Sequence, residues 1–154
     1  MRSISALRED LMHLMQTSEI ASRRGRILLV DDDDAVRLAL GNVLLAEGYE
    51  VVTACNGIQA LATLRRQPCD LALLDLNMPL LNGWGTIGEL RRLNRSLPIV
   101  IITARPDQET LARECGLELM EKPLDLPLLL RRITALLNLR YESTPAMPGT
   151  AAAS

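Results

Sequence analysis

The chain has 154 residues, of which 48% are hydrophobic and 23% are charged, and its formal net charge is −2. This length suits one domain with a sizeable core, and the apolar content excludes a disordered chain. The near-neutral charge, without Lys/Arg clusters beyond short pairs, gives no electrostatic reason to expect a nucleic-acid partner.

Cysteine and histidine usage limits the chemistry further. The three cysteines, Cys55, Cys69 and Cys115, lack the spacing of metal ligands, so reduced thiols are expected. The only histidine, His13, is far in sequence from the acidic residues described below, which argues against His-based catalysis and zinc binding. Charged residues interrupt 1–22, and no apolar run reaches the length of a membrane span. We therefore expect a cytoplasmic protein that does not contact a membrane.

Residues 3–22 have the pattern of an amphipathic helix. Its apolar stripe, at steps of three and four residues, consists of Ile4, Leu7, Leu11 and Leu14. Two heptads are too few to define a coiled coil. The stripe can pack on its own domain, on a second copy in a homodimer, or on another partner. Residues 1–25 are accordingly interpreted as a helical extension.

From Arg26 onwards, strand-like and helix-like segments alternate. The predicted strands are 27–31, 49–54, 70–75, 99–102 and 117–121, and the predicted helices are about 34–47, 57–66, 83–94, 107–115 and 125–140. Such alternation indicates an α/β fold with a parallel sheet covered on both faces. Residues 141–154 are rich in Ala, Pro, Thr and Ser and are predicted to be disordered. The main domain is therefore 26–140.

Four of the predicted strands end on polar side chains. The first is followed by Asp31 and Asp32, the third ends on Asp75, the fourth on Thr103, and the fifth leads to Lys122. In an open parallel sheet, the loops that follow the strands gather at one edge, where ligands bind. We therefore expect carboxylates, a hydroxyl and an ammonium group to meet at this edge.

Crowded carboxylates repel one another, and burial increases the cost, unless a cation is bound. Oxygen ligands without nearby sulfur or imidazole favour Mg²⁺, with Mn²⁺ as the alternative. Mg²⁺ prefers one or two carboxylates together with a phosphate oxygen, which leaves a carboxylate free to form an aspartyl phosphate. Lys122 and Thr103 can then stabilise the phosphoryl oxygens. Asp33 or Asp34 is instead predicted to cap the next helix.

The segments around these residues resemble the receiver domain of two-component response regulators, in order and nearly in spacing. They are Val30-Asp31-Asp32-Asp33, Leu74-Asp75-Leu76-Asn77-Met78-Pro79 with Asn82-Gly83, Ile102-Thr103-Ala104 and Glu121-Lys122-Pro123-Leu124. The resemblance covers about 26–139. It implies a flavodoxin-like doubly wound sheet with strand order 2-1-3-4-5 and five flanking helices, to which the N-terminal helix is added.

The resemblance also implies phosphoryl transfer from a sensor histidine kinase or a histidine phosphotransfer protein. By position, Asp75 matches the phosphoacceptor, and Asp31 and Asp32 match the acidic pair. Of this pair, Asp32 is expected to bind Mg²⁺ directly, alongside Asp75 and the backbone carbonyl of Asn77. The chemistry is limited to self-phosphorylation and autodephosphorylation, so the chain is not expected to be an enzyme. Its output is contact with a downstream protein target that the sequence does not identify.

The remaining matches concern the switch. Thr103 matches the switch hydroxyl and Lys122 the phosphate-pairing lysine, and the Lys122-Pro123 peptide is expected to be cis. Asn77 and Arg105 match the positions that modulate phosphoryl lifetime in this family. Their side chains do not predict whether that lifetime is short or long.

Two features depart from the family pattern. Leu119 stands where an aromatic switch residue is usual, three positions before the lysine. The interval from Thr103 to Lys122 is short by roughly one helical turn, which predicts a truncated helix between them. Both changes fall on the face that this family commonly uses for output. We therefore hypothesise a different output surface that involves the N-terminal helix.

Three alternative interpretations fit these residues less well. A degenerate receiver that acts without phosphorylation fits Leu119, but not the complete acidic and basic set. A phosphatase of the haloacid dehalogenase type requires a second Asp where Asn77 stands, and a flavodoxin requires a phosphate loop where four aspartates stand. The chain ends soon after the last predicted helix, so we expect a stand-alone regulator or phosphorelay intermediate without an output domain.

Overall fold

The computed structural model describes residues 3–22, 24–78 and 82–143, without the side chains of 16–22, 106, 141 and 143. In these ranges the strands are β1 Arg26–Val30, β2 Glu50–Ala54, β3 Leu71–Asp75, β4 Ile99–Thr103 and β5 Glu118–Glu121. The helices are α1 Ile4–Ser22, α2 Asp34–Ala46, α3 Gly57–Arg66, α4 Gly83–Leu93, α5 Glu109–Glu114 and α6 Leu126–Ser143. A 3₁₀ turn, Pro106–Gln108, precedes α5.

The five strands form one parallel sheet in the order β2-β1-β3-β4-β5. This confirms the predicted flavodoxin-like topology. The register pairs Val30 with Leu74 and Thr103 with Glu121, so the strand ends lie level with one another. Asp31, Asp75 and Lys122 therefore reach the same edge of the sheet, which we call the carboxyl edge. The opposite edge, where Arg26 and Leu71 begin their strands, is the amino edge.

The core consists of two layers, one on each face of the sheet. Alternate strand residues such as Leu28 and Leu74 pack against α3, α4 and α5. The intervening residues, such as Leu29 and Leu73, pack against α2 and α6. The three middle strands are buried almost along their whole length, which explains their continuous apolar sequence.

Side-chain caps fix where several helices begin, among them α2, α3 and α4. Asp33 caps α2 by accepting hydrogen bonds from the N–H groups of Ala35 and Val36. Asn56 caps α3 and Asn82 caps α4 in the same way. The predicted capping role of Asp33 is confirmed, so this carboxylate is occupied by the helix.

The predicted helix boundaries need two adjustments. Helix α5 has only six residues, because residues 106–108 form the 3₁₀ turn instead. Helix α6 continues to Ser143, three residues past its predicted end and into the segment predicted to be disordered. The rest of that segment, 144–154, and the predicted turn at Pro79 lie outside the described residues.

The N-terminal helix is present, and its apolar stripe is exposed. The exposed fractions are 85% for Ile4, 53% for Leu7, 59% for Leu11 and 66% for Leu14. The described part of the stripe is therefore not covered by the domain. Among the residues that the structure describes, no helix is both long and apolar enough to span a membrane.

Candidate functional site

Three carboxylates lie together at the carboxyl edge. Asp31 and Asp75 are buried, with 3% and 6% of their surface exposed, whereas Asp32 is exposed. One oxygen from each of the three lies within 4.8 Å of the others. This arrangement agrees with the sequence expectation. It concentrates negative charge where little water can screen it.

Backbone hydrogen bonds orient the two buried carboxylates. Asp31 Oδ1 accepts from the N–H of Asp33 at 2.9 Å, and Asp75 Oδ1 accepts from the N–H of Asn77 at 3.0 Å. Each is the local turn that Asp forms with the residue two positions later. One oxygen of each carboxylate is therefore held in place, and the other is turned toward Lys122.

Lys122 brings the ammonium group to this cluster. Its Nζ lies 3.2 Å from Asp31 Oδ2 and 3.5 Å from Asp75 Oδ2. The backbone N–H of Lys122 donates to the carbonyl of Thr103 at 2.8 Å, which fixes the lysine to the end of β4. The Lys122-Pro123 peptide is cis, as predicted. The ammonium group thus lies between the two buried carboxylates.

The surroundings change the proton affinities of both partners. Burial raises the pKa of Asp75, and the neighbouring Asp31 charge adds to this, while the Asn77 N–H and Lys122 oppose it. Burial acts to lower the pKa of Lys122, but the hydrogen bond and charge of Asp31, together with Asp75, raise it on balance. Lys122 therefore remains an ammonium at neutral pH.

Thr103 and Asn77 complete the predicted set. Thr103 is fully buried at the end of β4, one residue past the pair formed by Asp75 and Ile102. Its Oγ1 accepts a hydrogen bond from the N–H of Arg105 at 3.0 Å. Asn77 is exposed and contacts Asp75 through its backbone N–H. All the predicted site residues are thus at the same edge of the sheet.

Gly83 holds helix α4 close to the site. A Cβ atom at this position would lie 2.5 Å from Leu76 Cα, so the backbone approaches closer than any other residue allows. Gly83 N–H also donates to the carbonyl of Leu76 at 3.3 Å. The first turn of α4 is therefore fixed directly against the residue that follows Asp75.

Sequence reasoning missed one connection near the site. The indole N–H of Trp84 donates to Gln108 Oε1 at 2.9 Å, which joins the start of α4 to the 3₁₀ turn after β4. Neither residue belongs to a motif, and one contact between a helix start and a distant 3₁₀ turn leaves no periodic signal in the sequence.

The carboxylate cluster fits a hard divalent cation. Two buried acids and one exposed acid supply oxygen donors, and Lys122 alone does not balance their charge. Mg²⁺ and Mn²⁺ accept such ligands, whereas the cluster contains no thiolate or imidazole that would favour a softer metal.

Comparison with known proteins identifies the family. The profile of the response regulator receiver domain matches residues 27–134. The chain belongs to this family. Response regulator receivers are components of two-component systems, so the resemblance deduced from the motifs is confirmed.

Individual relatives agree with the assignment. The transcriptional regulatory protein PrrA of Mycobacterium tuberculosis is 36% identical over 118 residues, which cover 75% of this chain and 51% of PrrA. The crystal structure of the response regulator TrrA from Thermotoga maritima, in complex with Mg²⁺-BeF, is 32% identical with a TM-score of 0.67. It covers 72% of this chain and 97% of TrrA. A receiver domain from Clostridium thermocellum, 24% identical, has a TM-score of 0.73 over 77% of this chain and 98% of its own, which shows the shared fold.

The comparisons also correct one expectation. The chain spans about half the length of PrrA, which is named a transcriptional regulator. The net charge of −2 and the lack of Lys/Arg clusters therefore do not exclude a nucleic-acid partner, because the matched segment is only about half of a relative that is named a transcriptional regulator.

Proposed function

We propose that this receiver is a phosphorylation switch in which Asp75 accepts a phosphoryl group from a phosphohistidine. The donor is a sensor histidine kinase or a histidine phosphotransfer protein, and phosphorylation changes contacts with a downstream protein. The observation that carries the proposal is the buried carboxylate of Asp75 beside two further carboxylates and the Lys122 ammonium. That set is suited to phosphoryl transfer.

The proposed reaction balances with the groups at hand. The Asp75 carboxylate attacks phosphorus, an O–P bond forms, and the P–N bond to the donor imidazole breaks with its electron pair staying on nitrogen. The Lys122 ammonium, 3.5 Å from Asp75 Oδ2, is placed to donate to a phosphoryl oxygen. Thr103 supplies a hydroxyl at the same edge. These donors stabilise charge that spreads over the transferred group.

We propose Mg²⁺, or alternatively Mn²⁺, as the cofactor, held by Asp31, Asp32, Asp75 and the backbone carbonyl of Asn77. When bound, the ion neutralises the carboxylates and the oxygens of the phosphoryl group. Asp32, the exposed member, leaves the cluster open to solvent for metal entry. The Asn77 side chain is exposed beside Asp75, and we propose that it and Arg105 set the phosphoryl lifetime. Beyond this self-dephosphorylation we propose no enzymatic activity.

A groove next to Lys122 supports a protein as the donor. Apolar side chains of α2, of the loop after β5 and of the first residue of α6 line it: Val36, Ala39, Leu40, Val43, Pro123, Leu124 and Leu126. A donor helix in this groove would bring its histidine close to the carboxyl edge. An Ala39→Arg variant is expected to lose transfer from a phosphohistidine protein and to keep phosphorylation by acetyl phosphate. Equal loss with both donors would contradict docking here.

The remaining proposals concern the ends of the chain and its location. We propose a cytoplasmic protein in which 26–140 form the receiver and 1–25 an added helical segment. The exposed stripe of α1 supports a homodimer formed through this helix. Leu11→Glu is expected to convert a dimer to a monomer in light scattering, and a monomeric wild type would remove the proposal.

Phosphorylation of Asp75 is tested with acetyl phosphate and Mg²⁺, read by intact mass. The wild type is expected to gain one phosphoryl group only with the metal, and Asp75→Asn is expected to gain none. Asp125→Asn is the matched control, because Asp125 lies three residues past Lys122 and only caps α6, a role that Asn also fills. The absence of an adduct under every metal condition would overturn the proposal and favour a receiver that works without phosphorylation.

A further inference from the structure

A side-chain hydrogen bond joins the first turn of α4 to the 3₁₀ turn after β4. Trp84, at the start of α4, donates from Nε1 to Gln108 Oε1 at 2.9 Å. The indole is partly buried and packs on the same core layer as Leu76 and Ile87. Its ring is therefore held by apolar contacts, and its polar end is held by Gln108.

The Trp84 end of this connection is anchored to Asp75. Gly83 leaves no room for a side chain against Leu76, and its N–H donates to the Leu76 carbonyl. Because Leu76 directly follows Asp75, the first turn of α4 is packed against the residue next to the proposed phosphoacceptor. Trp84 is thus the fixed partner.

The Gln108 end is connected to Thr103 through the 104–108 segment. Thr103 Oγ1 accepts from the N–H of Arg105 at 3.0 Å. The Arg105 guanidinium contacts Asp107 Oδ2 at 3.5 Å, and Gln108 Nε2 donates to the same oxygen at 3.0 Å. A continuous path of polar contacts therefore runs from the switch hydroxyl to the indole.

The following inference rests on the proposed function. We propose that phosphorylation of Asp75 breaks the Trp84–Gln108 hydrogen bond and so releases the 104–108 segment from helix α4. In this proposal the Thr103 side chain rotates so that its hydroxyl donates to the phosphoryl group, and the rotation carries Oγ1 away from the Arg105 N–H. The turn then loses its anchor, and Gln108 moves with it. Gln108 and Trp84 are positioning residues here, since neither touches the reacting atoms.

This path offers an alternative to the aromatic residue that is missing at position 119. Leu119 is partly buried on the same core layer as Trp84 and has no polar group to exchange partners. Trp84 has both a ring and a donor, and it meets the segment that Thr103 controls. In this chain the aromatic group is therefore on α4, and the output change is expected at the surface formed by α4 and residues 104–108.

Trp84 is the only tryptophan in the chain, so its emission reports this site alone. Beryllium fluoride with Mg²⁺, the ligand in the TrrA crystal, serves as the probe in the full-length protein. The expected result is a shift of wild-type emission to longer wavelength, because the indole loses its partner and gains water. Gln108→Leu is expected to show the longer-wavelength emission without the ligand, and adding beryllium fluoride should not shift it further. The matched control is Gln67→Leu, at an exposed position, which is expected to behave as wild type.

Acetyl phosphate adducts, measured by intact mass on the same samples, separate the possible failures. If the adduct forms in the wild type and in Gln108→Leu but wild-type emission stays constant, the hydrogen bond is static and the inference is wrong while the phosphorylation proposal stands. An equal emission shift in both proteins would also overturn it, since the signal would not come from this bond. If no adduct forms at all, both proposals fall.

Discussion

At the amino edge of the sheet, acidic and basic groups are paired. Asp70 Oδ2 accepts from the Arg26 N–H at 2.8 Å, and its Oδ1 lies 3.5 Å from the Arg140 guanidinium. Arg140 also donates to the carbonyl of Asp70 at 2.7 Å, and Arg26 pairs with Glu50 at 2.8 Å. Two arginines therefore face two acids, and the network joins β1, β2, β3 and α6.

At the carboxyl edge, the three carboxylates of the cluster are not paired in this way. Asp31, Asp32 and Asp75 face the single ammonium of Lys122. Each extra carboxylate costs folding free energy unless a ligand neutralises it. The same sheet therefore carries balanced charge at one edge and unbalanced carboxylates at the other.

The largest expected effect is at the amino edge. Asp70→Ala should lower the free energy of unfolding by about 3 kcal/mol, because it leaves a partly buried N–H without an acceptor and removes an ion pair. Asp70→Asn, which keeps an acceptor oxygen, should lose less. Urea denaturation measures both, and acetyl phosphate labelling should be unchanged in each. A loss of labelling that exceeds the unfolded fraction would contradict the separation of the two edges.

The second prediction uses the thiol that is buried at the amino edge. Burial raises the pKa of Cys69 from 9.0 to about 11. Below pH 9 the Cys69 thiol is neutral in the folded and in the unfolded state. Above pH 9 the thiol ionises in the unfolded chain first, so the free energy of unfolding falls as pH rises toward 11. The loss reaches about 2 kcal/mol by pH 11. Denaturation under reducing conditions should show this loss in wild type and not in Cys69→Ala; parallel curves for the two proteins would rule it out.

The third prediction concerns metal at the carboxyl edge. Mg²⁺ at ten times its dissociation constant should stabilise the wild type by about 1.4 kcal/mol, because only the folded chain assembles the site. Asp32→Asn should reduce this gain, and EDTA should abolish it. Asp70→Asn should keep the full gain despite its lower stability. Thermal unfolding with and without Mg²⁺ measures the stabilisation of each protein. Equal stabilisation of Asp32→Asn and wild type would mean that the metal binds elsewhere.

The two edges also differ in what sequence reasoning could find. Asp75, Thr103 and Lys122 each end a strand or follow one directly, and the geometry of a parallel sheet brings such positions together without any knowledge of packing. Asp70 was interpreted only as the start of a strand, and Arg140 as the last residue of a helix. Their pairing depends on where α6 crosses the sheet, which is a long-range property that no local pattern encodes.

The connection between Trp84 and Gln108 was missed for a similar reason. It depends on the 3₁₀ turn at Pro106–Gln108, which replaced the first part of a predicted helix and directed Gln108 toward α4. The position of α4 itself depends on the close approach of Gly83 to Leu76. The sequence marked Gly83 as part of a motif, but only the packing shows that this glycine is sterically required.

The smallest expected effect gives the most specific test, because replacing Asp by Asn should change the free energy of unfolding in opposite directions at the two edges. Without metal, Asp75→Asn should raise the free energy of unfolding, by up to about 1 kcal/mol. Burial and the Asp31 charge disfavour the ionised carboxylate of Asp75, and the amide has nearly the same shape without the charge. At the amino edge, Asp70→Asn should lower the same quantity. Urea denaturation in EDTA measures both. A loss of stability in Asp75→Asn would mean that the Lys122 ammonium already neutralises the cluster, and the carboxyl edge would then resemble the amino edge.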